Sequence, residues 1–250
     1  MKYQGFFGRT FYRSAMMLPL LAGLALSGCS DSNSKSPVDD GIEMIFSGFA
    51  TPVSDADKRE ILASDSITID GTSYAIGFNT LLRSGDTFGD ETFGLIRNYM
   101  GAPVLQEDGS EFISNSTDFT SLLHLGDKIY SVTHFESRPG GMYLSELEQD
   151  ENGYLTAVST RNIDFSKWGG LWTPCAGSVT PWNTHLGSEE YEPNARSYEL
   201  ATTKDEIGSY FGSMSNYFDV NFYDEEVTAE EIKAVVNPYA YGYPTEVIVQ

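Results

Sequence analysis

The sequence predicts a mainly β fold. Short runs rich in β-branched and aromatic residues recur between residues 44 and 159, and such runs are typical of strands. Turn-forming pairs, among them Asp70-Gly71 and Gly126-Asp127, separate these runs. Because many short antiparallel strands with regular turns build all-β domains, the pattern favours a sandwich, a barrel or a propeller.

The first 29 residues are predicted to be a lipoprotein signal peptide, and residues 30–42 a flexible tether. Basic residues precede an apolar run over residues 15–25, which is too short to span a bilayer. The Leu-Ser-Gly-Cys that ends at Cys29 resembles the lipobox of bacterial lipoproteins. The resemblance implies a lipid anchor on Cys29, and Ser30 after it implies the outer membrane of the bacterial cell envelope. The alternative is an ordinary secretory signal.

The charge balance limits the partners of the chain. It carries 15 lysines and arginines against 36 aspartates and glutamates, a formal net charge of −21. Because nucleic-acid backbones attract basic surfaces, we expect no nucleic-acid partner. Divalent cations prefer oxygen ligands, so the acidic excess fits a cation-binding protein, although a solvated soluble surface explains it as well. With Cys29 lipidated, Cys175 is the remaining thiol, and no intramolecular disulfide is expected.

The predicted strands follow one another closely along the chain. They are residues 44–49, 66–69, 73–78, 93–96, 119–125, 128–134, 141–147 and 153–159. The last two are predicted to pair as a hairpin across residues 148–152. This order permits a propeller, but no internal repeat of the length of a blade is visible in the sequence.

A short helical insertion is predicted at about residues 203–236. Residues 203–206 open a first helix, and its apolar residues recur with helical spacing. Thr228 and Glu231 form the pattern of a capping box at the start of a second helix, and Asn237-Pro238 ends that helix. The insertion is expected to lie beyond the edge of the β structure, where lids or covers are often found.

The most informative stretch is residues 168–190, which contains all three tryptophans and Cys175. Two X-Pro steps restrict its backbone. We expect residues 178–182 and 185–190 to be extended and joined near Asn183, so that Cys175 meets one of two adjacent glutamates at one end of a sheet. A thiolate beside a carboxylate suits iron. The alternative interpretation of Cys175 is a small buried apolar residue.

The same stretch carries a family resemblance. The run T-P-C-A-G-S-V-T-P-W-N-T-H-L-G-S-E-E at residues 173–190 resembles the signature of PhoX-type alkaline phosphatases. I-D-G-T-S-Y through L-L-R-S-G-D, at 69–86, and N-P-Y-A-Y-G-Y-P-T-E-V, at 237–247, resemble two further regions of that family. The resemblance, which extends from about residue 65 to the end, implies a secreted β-propeller phosphomonoesterase that holds iron and calcium.

The resemblance also implies the residues of the site. The positions that match the metal ligands of the family are Cys175, Glu190 and Glu246. Four neighbours in the motifs are expected to surround the ligands: Glu189, His185, Thr180 and Trp182. His134, at the end of a predicted strand, is expected either to face the propeller axis or to be a hydrogen-bonded histidine of the strand end.

The chain departs from the family pattern at Asn183, His185, Ser188 and Ala240, and it is much shorter than the active relatives. The resemblance therefore implies an incomplete propeller, with blades from the N-terminal half only. We expect the 250 residues alone to show little or no phosphatase activity. The alternative function is a non-catalytic, calcium-binding surface lipoprotein of propeller type. A third possibility is that the chain is the N-terminal part of a longer protein.

Overall fold

A computed structural model describes residues 42–59 and 64–250 of the chain. The predicted signal peptide with Cys29, and the predicted tether up to residue 41, lie outside the described residues. Contacts divide the chain into two compact units, one ending at Gly77 and one beginning at Phe78, within the stretch predicted as one domain. In the part of the chain that the structure describes, no helix is long and apolar enough to cross a bilayer.

The described part of the first unit is a three-stranded antiparallel sheet of β1 (Met44–Phe46), β2 (Ser66–Ile69) and β3 (Thr72–Ala75), in that order. The predicted Asp70-Gly71 turn joins β2 to β3, with positive φ angles of 46° and 79° at its two residues. Positive φ at both central residues is the requirement of a type I′ hairpin, which explains the Asp-Gly pair.

The second unit begins with a short hairpin of β4 (Thr87–Phe88) and β5 (Glu91–Thr92). A four-stranded antiparallel sheet follows, in which strands adjacent in the chain are adjacent in space. Its strands are β6 (Thr117–Leu125), β7 (Lys128–Phe135), β8 (Gly141–Gln149) and β9 (Leu155–Asn162). The predicted hairpin across residues 148–152 is confirmed.

A three-stranded antiparallel sheet in this unit joins the two motifs. It consists of β10 (Pro174–Val179), β11 (His185–Glu189) and β12 (Pro244–Val247) in that order. The first extended piece ends at Val179, before residue 182, because the chain turns at residues 180–183. Asn183 takes a positive φ of 64° in that turn, a conformation that asparagine tolerates better than most residues.

Helices are present in the region predicted as a helical insertion, and they start earlier than expected. They are α1 (Ala195–Leu200), α2 (Lys204–Gly212) and α3 (Ala229–Val235), with a 3-10 helix at Ser213–Phe218. Shorter 3-10 turns lie at Asp57–Arg59, Ser166–Trp168 and Pro238–Ala240. Thr228 and Glu231 form the predicted capping box. Buried residues of this helical region, among them Met214 and Ile232, form one core cluster with Trp172.

The prediction of a mainly β fold is confirmed by four separate antiparallel sheets, none of which closes into a barrel within the described residues. The predicted strand at residues 93–96 is wrong. Gly94 has a φ of 89°, which breaks the extended backbone and leaves only an isolated bridge at Leu95. Phe93 and Ile96 instead belong to a buried core. The propeller arrangement stays a prediction.

Candidate functional site

The structure brings Cys175 and Glu190 to the same end of one sheet. Cys175 is the second residue of β10, and Glu190 follows the last residue of β11. Pro174 pairs with Glu189 in the antiparallel register. The backbone N–H of Glu190 donates to the carbonyl of Thr173 across 3.1 Å. The register of the β10–β11 hairpin therefore determines this meeting, as the sequence predicted.

Asp118 and Glu136, which lie in the four-stranded sheet or directly after one of its strands, are close to Cys175 and Glu190. Neither residue was predicted from the sequence. Asp118 lies near the start of β6, and Glu136 comes directly after β7. Thr117 pairs with Phe135, and the N–H of Glu136 donates to the carbonyl of residue 116 across 2.8 Å. The two carboxylates therefore lie at the same end of their sheet, next to Cys175.

The side chains at this end of the sheets repel one another when they are ionised. A hydrogen bond with Asp118, then burial, then Glu190 raise the pKa of the Cys175 thiol to about 12. Burial, then Glu190 and Asp118, raise the pKa of Glu136, whereas the nearby Arg138 lowers it. Such mutual repulsion is relieved when a cation is bound among the anions.

The donor atoms match a mixed metal site, although they are not arranged as a finished one. We call Asp118, Glu136, Cys175 and Glu190 the thiol–carboxylate cluster. The cluster combines one soft sulfur donor with several hard oxygen donors, a mixture that suits iron. The carboxylate oxygens are also the ligands that calcium prefers. Across residues 42–59 and 64–250, no three His, Cys, Asp or Glu side chains are already arranged as ligands around one point.

A buried chain of hydrogen bonds holds the backbone of Cys175. Its carbonyl oxygen can only accept, so Nδ1 of His134 carries a proton and donates across 2.8 Å. Nε2 of the neutral His134 ring therefore accepts from Nε2 of His185, at 2.7 Å. Nδ1 of His185 is left to accept from the hydroxyl of Ser121, at 2.8 Å. The network thus assigns one tautomer to each ring.

His134 and His185, the two histidines of this hydrogen-bonded network, are fully buried and neutral. Burial lowers the pKa of His134, and burial followed by the neighbouring ring lowers the pKa of His185 to about 4. His185 was expected next to the ligands. It reaches Cys175 only through His134, which is a hydrogen-bonded histidine of the strand end, one of its two expected roles.

Glu246 lies at the other end of the sheet from the cluster. It pairs with Leu186 in the register of β11 and β12, four residues before Glu190, which is about 13 Å along a strand. Its carboxylate accepts from the Trp182 indole at 2.7 Å and from the Thr184 hydroxyl at 2.6 Å. The structure therefore does not bring this matched ligand position together with Cys175 and Glu190.

Two further expected neighbours of the ligands lie with Glu246. The Thr180 and Thr184 hydroxyls are 2.8 Å apart, and Trp182 is exposed. Hydrogen bonds from Thr184 and Trp182 lower the pKa of Glu246, so this carboxylate stays ionised. Thr180 and Trp182 thus support the contact between the central motif and the C-terminal motif.

Glu189 has a structural role that could not be distinguished in the sequence from the role of Glu190. Its Oε1 accepts from the backbone N–H of Trp172 at 2.6 Å, and its Oε2 accepts from that of Gly242 at 2.6 Å. Burial raises its pKa, and these backbone donors partly offset the effect. The two adjacent glutamates therefore have different roles. Glu189 joins the two motifs, whereas Glu190 lies in the thiol–carboxylate cluster.

No family model, curated protein or solved structure matches this chain. The assignment of a function therefore depends on the residues of the motifs and on the geometry of the site.

Proposed function

We propose that the chain is a metal-dependent phosphomonoesterase of the PhoX type, or a shortened relative of one, with its metal site at the thiol–carboxylate cluster. The observation that carries the proposal is the meeting of Cys175 and Glu190 at one sheet end with Asp118 and Glu136. The signature at residues 173–190 supports the same assignment from the sequence.

Cys175 and Glu190 would hold iron, with Asp118 and Glu136 as further oxygen ligands for iron or calcium. Bound cations would supply Lewis acidity and neutralise the oxygens of a phosphoryl group. The residues of the chain itself hold these ligands in place. The His134–His185 pair fixes the backbone carbonyl of Cys175, and the hairpin register fixes Glu190 opposite it. The thiol acts as a ligand in this proposal and does not attack phosphorus.

The fold that we propose is a partial β-propeller. The four strands β6 to β9 form an up-and-down antiparallel sheet, which is the form of a propeller blade. The ligands then come from the ends of neighbouring sheets, where β6, β7, β10 and β11 approach one another through the buried histidines.

A non-catalytic, calcium-binding surface lipoprotein is the second candidate. The position of Glu246 favours it, because one of the three ligand positions matched to the family binds Trp182 and Thr184 and lies away from the cluster. A phosphoryl-transfer site must stabilise charge on several oxygens at once, so a reduced ligand set binds cations more readily than it turns over substrate.

Metal analysis of the purified chain tests the proposal. We expect bound calcium or iron, and calorimetric titration with calcium should show at least tenfold weaker binding in Glu190→Gln and in Asp118→Asn. Glu151→Gln, in an exposed turn, is the matched control and should bind as the native chain does. Absence of both metals from the native protein, with no calcium binding in the titration, would overturn the site.

Two further arms separate the candidates. Equal loss of calcium affinity in Glu246→Gln and Glu190→Gln would contradict the cluster and favour the ligand set matched to the family. Calcium-dependent hydrolysis of p-nitrophenyl phosphate that disappears in Cys175→Ala would establish the phosphatase. Calcium binding without turnover would instead favour the non-catalytic candidate over the phosphatase.

A further inference from the structure

A cavity of about 390 Å³ opens beside the thiol–carboxylate cluster. Glu136 belongs to both the cluster and the cavity wall, so the two are continuous. Arg138 also lines the cavity, and the helical insertion contributes Ser209, Tyr210 and Asn216 to its lining. Small-molecule sites typically enclose about 300–1,000 Å³, so the cavity has the size of a site for a small organic ligand.

Arg138 is held firmly within this cavity. Its Nη1 donates to the hydroxyl of Thr173 across 3.2 Å. Its guanidinium carbon lies 4.1 Å from the centre of the Tyr210 ring and 5.8 Å from that of Trp172. The Tyr210 hydroxyl is itself fixed, because it donates to the carbonyl of Tyr191 at 3.2 Å. The aromatic contacts therefore orient the planar guanidinium before any ligand arrives.

The remaining N–H donors of Arg138 make no hydrogen bond or ion pair with residues 42–59 and 64–250, although the charge of the nearby Glu136 carboxylate interacts with the guanidinium. A guanidinium has five N–H donors, and the hydrogen bond to Thr173 uses one. None of the ion pairs formed by residues 42–59 and 64–250 includes Arg138. In a chain with a formal net charge of −21, an arginine that is positioned by aromatic rings, and whose neighbour Glu136 lies beyond ion-pair distance, has N–H donors available for another anion.

We propose that Arg138 binds the oxyanion of a small phosphomonoester, whose organic part occupies the cavity beneath the helical insertion. Arginine matches phosphate oxygens with two parallel N–H donors. The lining of Ser209, Ser213 and Asn216 offers hydroxyl and amide groups, whereas Tyr210 and Tyr223 offer aromatic faces. A small organic ligand that carries hydroxyl groups is complementary to this lining. The anion site stands on Arg138 and the cavity alone, whereas its assignment to a substrate rests on the proposed function.

Calorimetric titration of the full chain with inorganic phosphate, in the presence of calcium, tests the site. We expect Arg138→Gln to bind phosphate at least tenfold more weakly than the native chain. Arg138→Lys should fall between the two, because lysine keeps the charge and loses the planar pair of donors. Arg161→Gln removes an exposed arginine of β9 and should leave the affinity unchanged. A native-like far-UV circular dichroism spectrum shows that each variant is folded.

The outcomes separate this inference from the proposed function. The inference is overturned if the native chain binds no phosphate at millimolar concentration, or if Arg138→Gln binds it as the native chain does. It is supported further if p-nitrophenyl phosphate binds more tightly than phosphate and a Tyr210→Ala exchange removes that difference. If the native chain binds no cation and phosphate binding still depends on Arg138, the metal site fails and the anion site stands.

Discussion

At the scale of single residues, the pair His134 and His185 links a buried region to the candidate site. Each ring nitrogen has a partner, so the pair satisfies its polar groups only while both rings are neutral. Protonation of His185 would place a second donor where Ser121 now donates to Nδ1. The cost of burying a charged ring is the first cause of the lowered pKa of His185, at about 4.

This pKa predicts a loss of stability in acid. An unfolded histidine has a pKa of about 6.5, so the contribution of His185 is complete above that pH and is lost as the pH falls towards about 4. We expect the free energy of unfolding of the native chain to exceed that of His185→Gln at about pH 7.5. This difference should decrease by about 2–3 kcal/mol when the pH is lowered to about 4.5. Urea unfolding across this pH range measures the difference.

The exposed His124 of β6 provides the matched control for this experiment. The His124→Gln chain should lose stability in acid in parallel with the native chain. Parallel curves for native and His185→Gln chains would instead show that His185 does not carry the predicted pH dependence.

At the scale of elements, close approach of the two large sheets of the second unit depends on a glycine. A Cβ on Gly187 of β11 would lie 2.8 Å from two ring atoms of His134 and 3.1 Å from the terminal methyl of Met142. His134 is fixed by two hydrogen bonds and is fully buried, so it has little room to shift. Only glycine therefore lets β11 pack against β7 at this distance.

Gly187→Ala should destabilise the second unit by about 1–3 kcal/mol, the usual cost of forcing an extra methyl group into a packed interior. All three tryptophans lie in this unit, so tryptophan fluorescence during urea unfolding reports on it. Ser188→Ala, at the next position of β11, is the control and should change stability by less than about 0.5 kcal/mol. Equal stability of Gly187→Ala and native chains would contradict the close packing.

Local sequence signals predicted the elements better than the site. The turn at Asp70-Gly71, the hairpin after β8 and the capping box at Thr228 all follow from residue types within a few positions of one another. The meeting of Cys175 and Glu190 was also predictable, because one tight hairpin determines it. The strand predicted at residues 93–96 failed where Gly94 takes a positive φ.

The rest of the site depends on pairings between distant segments, and these leave no local signal. Asp118 and Glu136 reach Cys175 because β6 and β7 approach β10 through buried side chains, and the acidic residues themselves look like ordinary strand-end positions. Arg138 was missed for the same reason, since its aromatic partners come from residues 172 and 210. The register of β12 separates Glu246 from the cluster, and no feature of its own motif indicates that register.

At the scale of the whole molecule, the acidic composition and the predicted anchor fit the location in the cell envelope that we propose. A formal net charge of −21 keeps the chain soluble and attracts cations to its surface. We propose that a lipid on Cys29 attaches the protein to the membrane. Acyl chains contribute about 0.8 kcal/mol for each buried methylene, and stable anchoring takes more than one chain.

Replacement of Cys29 tests this attachment. We expect the native protein in the membrane fraction of the bacterial cell and Cys29→Ser in the soluble fraction, because the substituted chain has no thiol for the lipid. Cys175→Ser is the matched control, since it removes the other cysteine of the chain and should leave the protein in the membrane fraction. Labelled fatty acid should be incorporated into the native and Cys175→Ser proteins only. Soluble native protein without label would instead support an ordinary secretory signal, and unchanged membrane attachment of Cys29→Ser would place the anchor elsewhere.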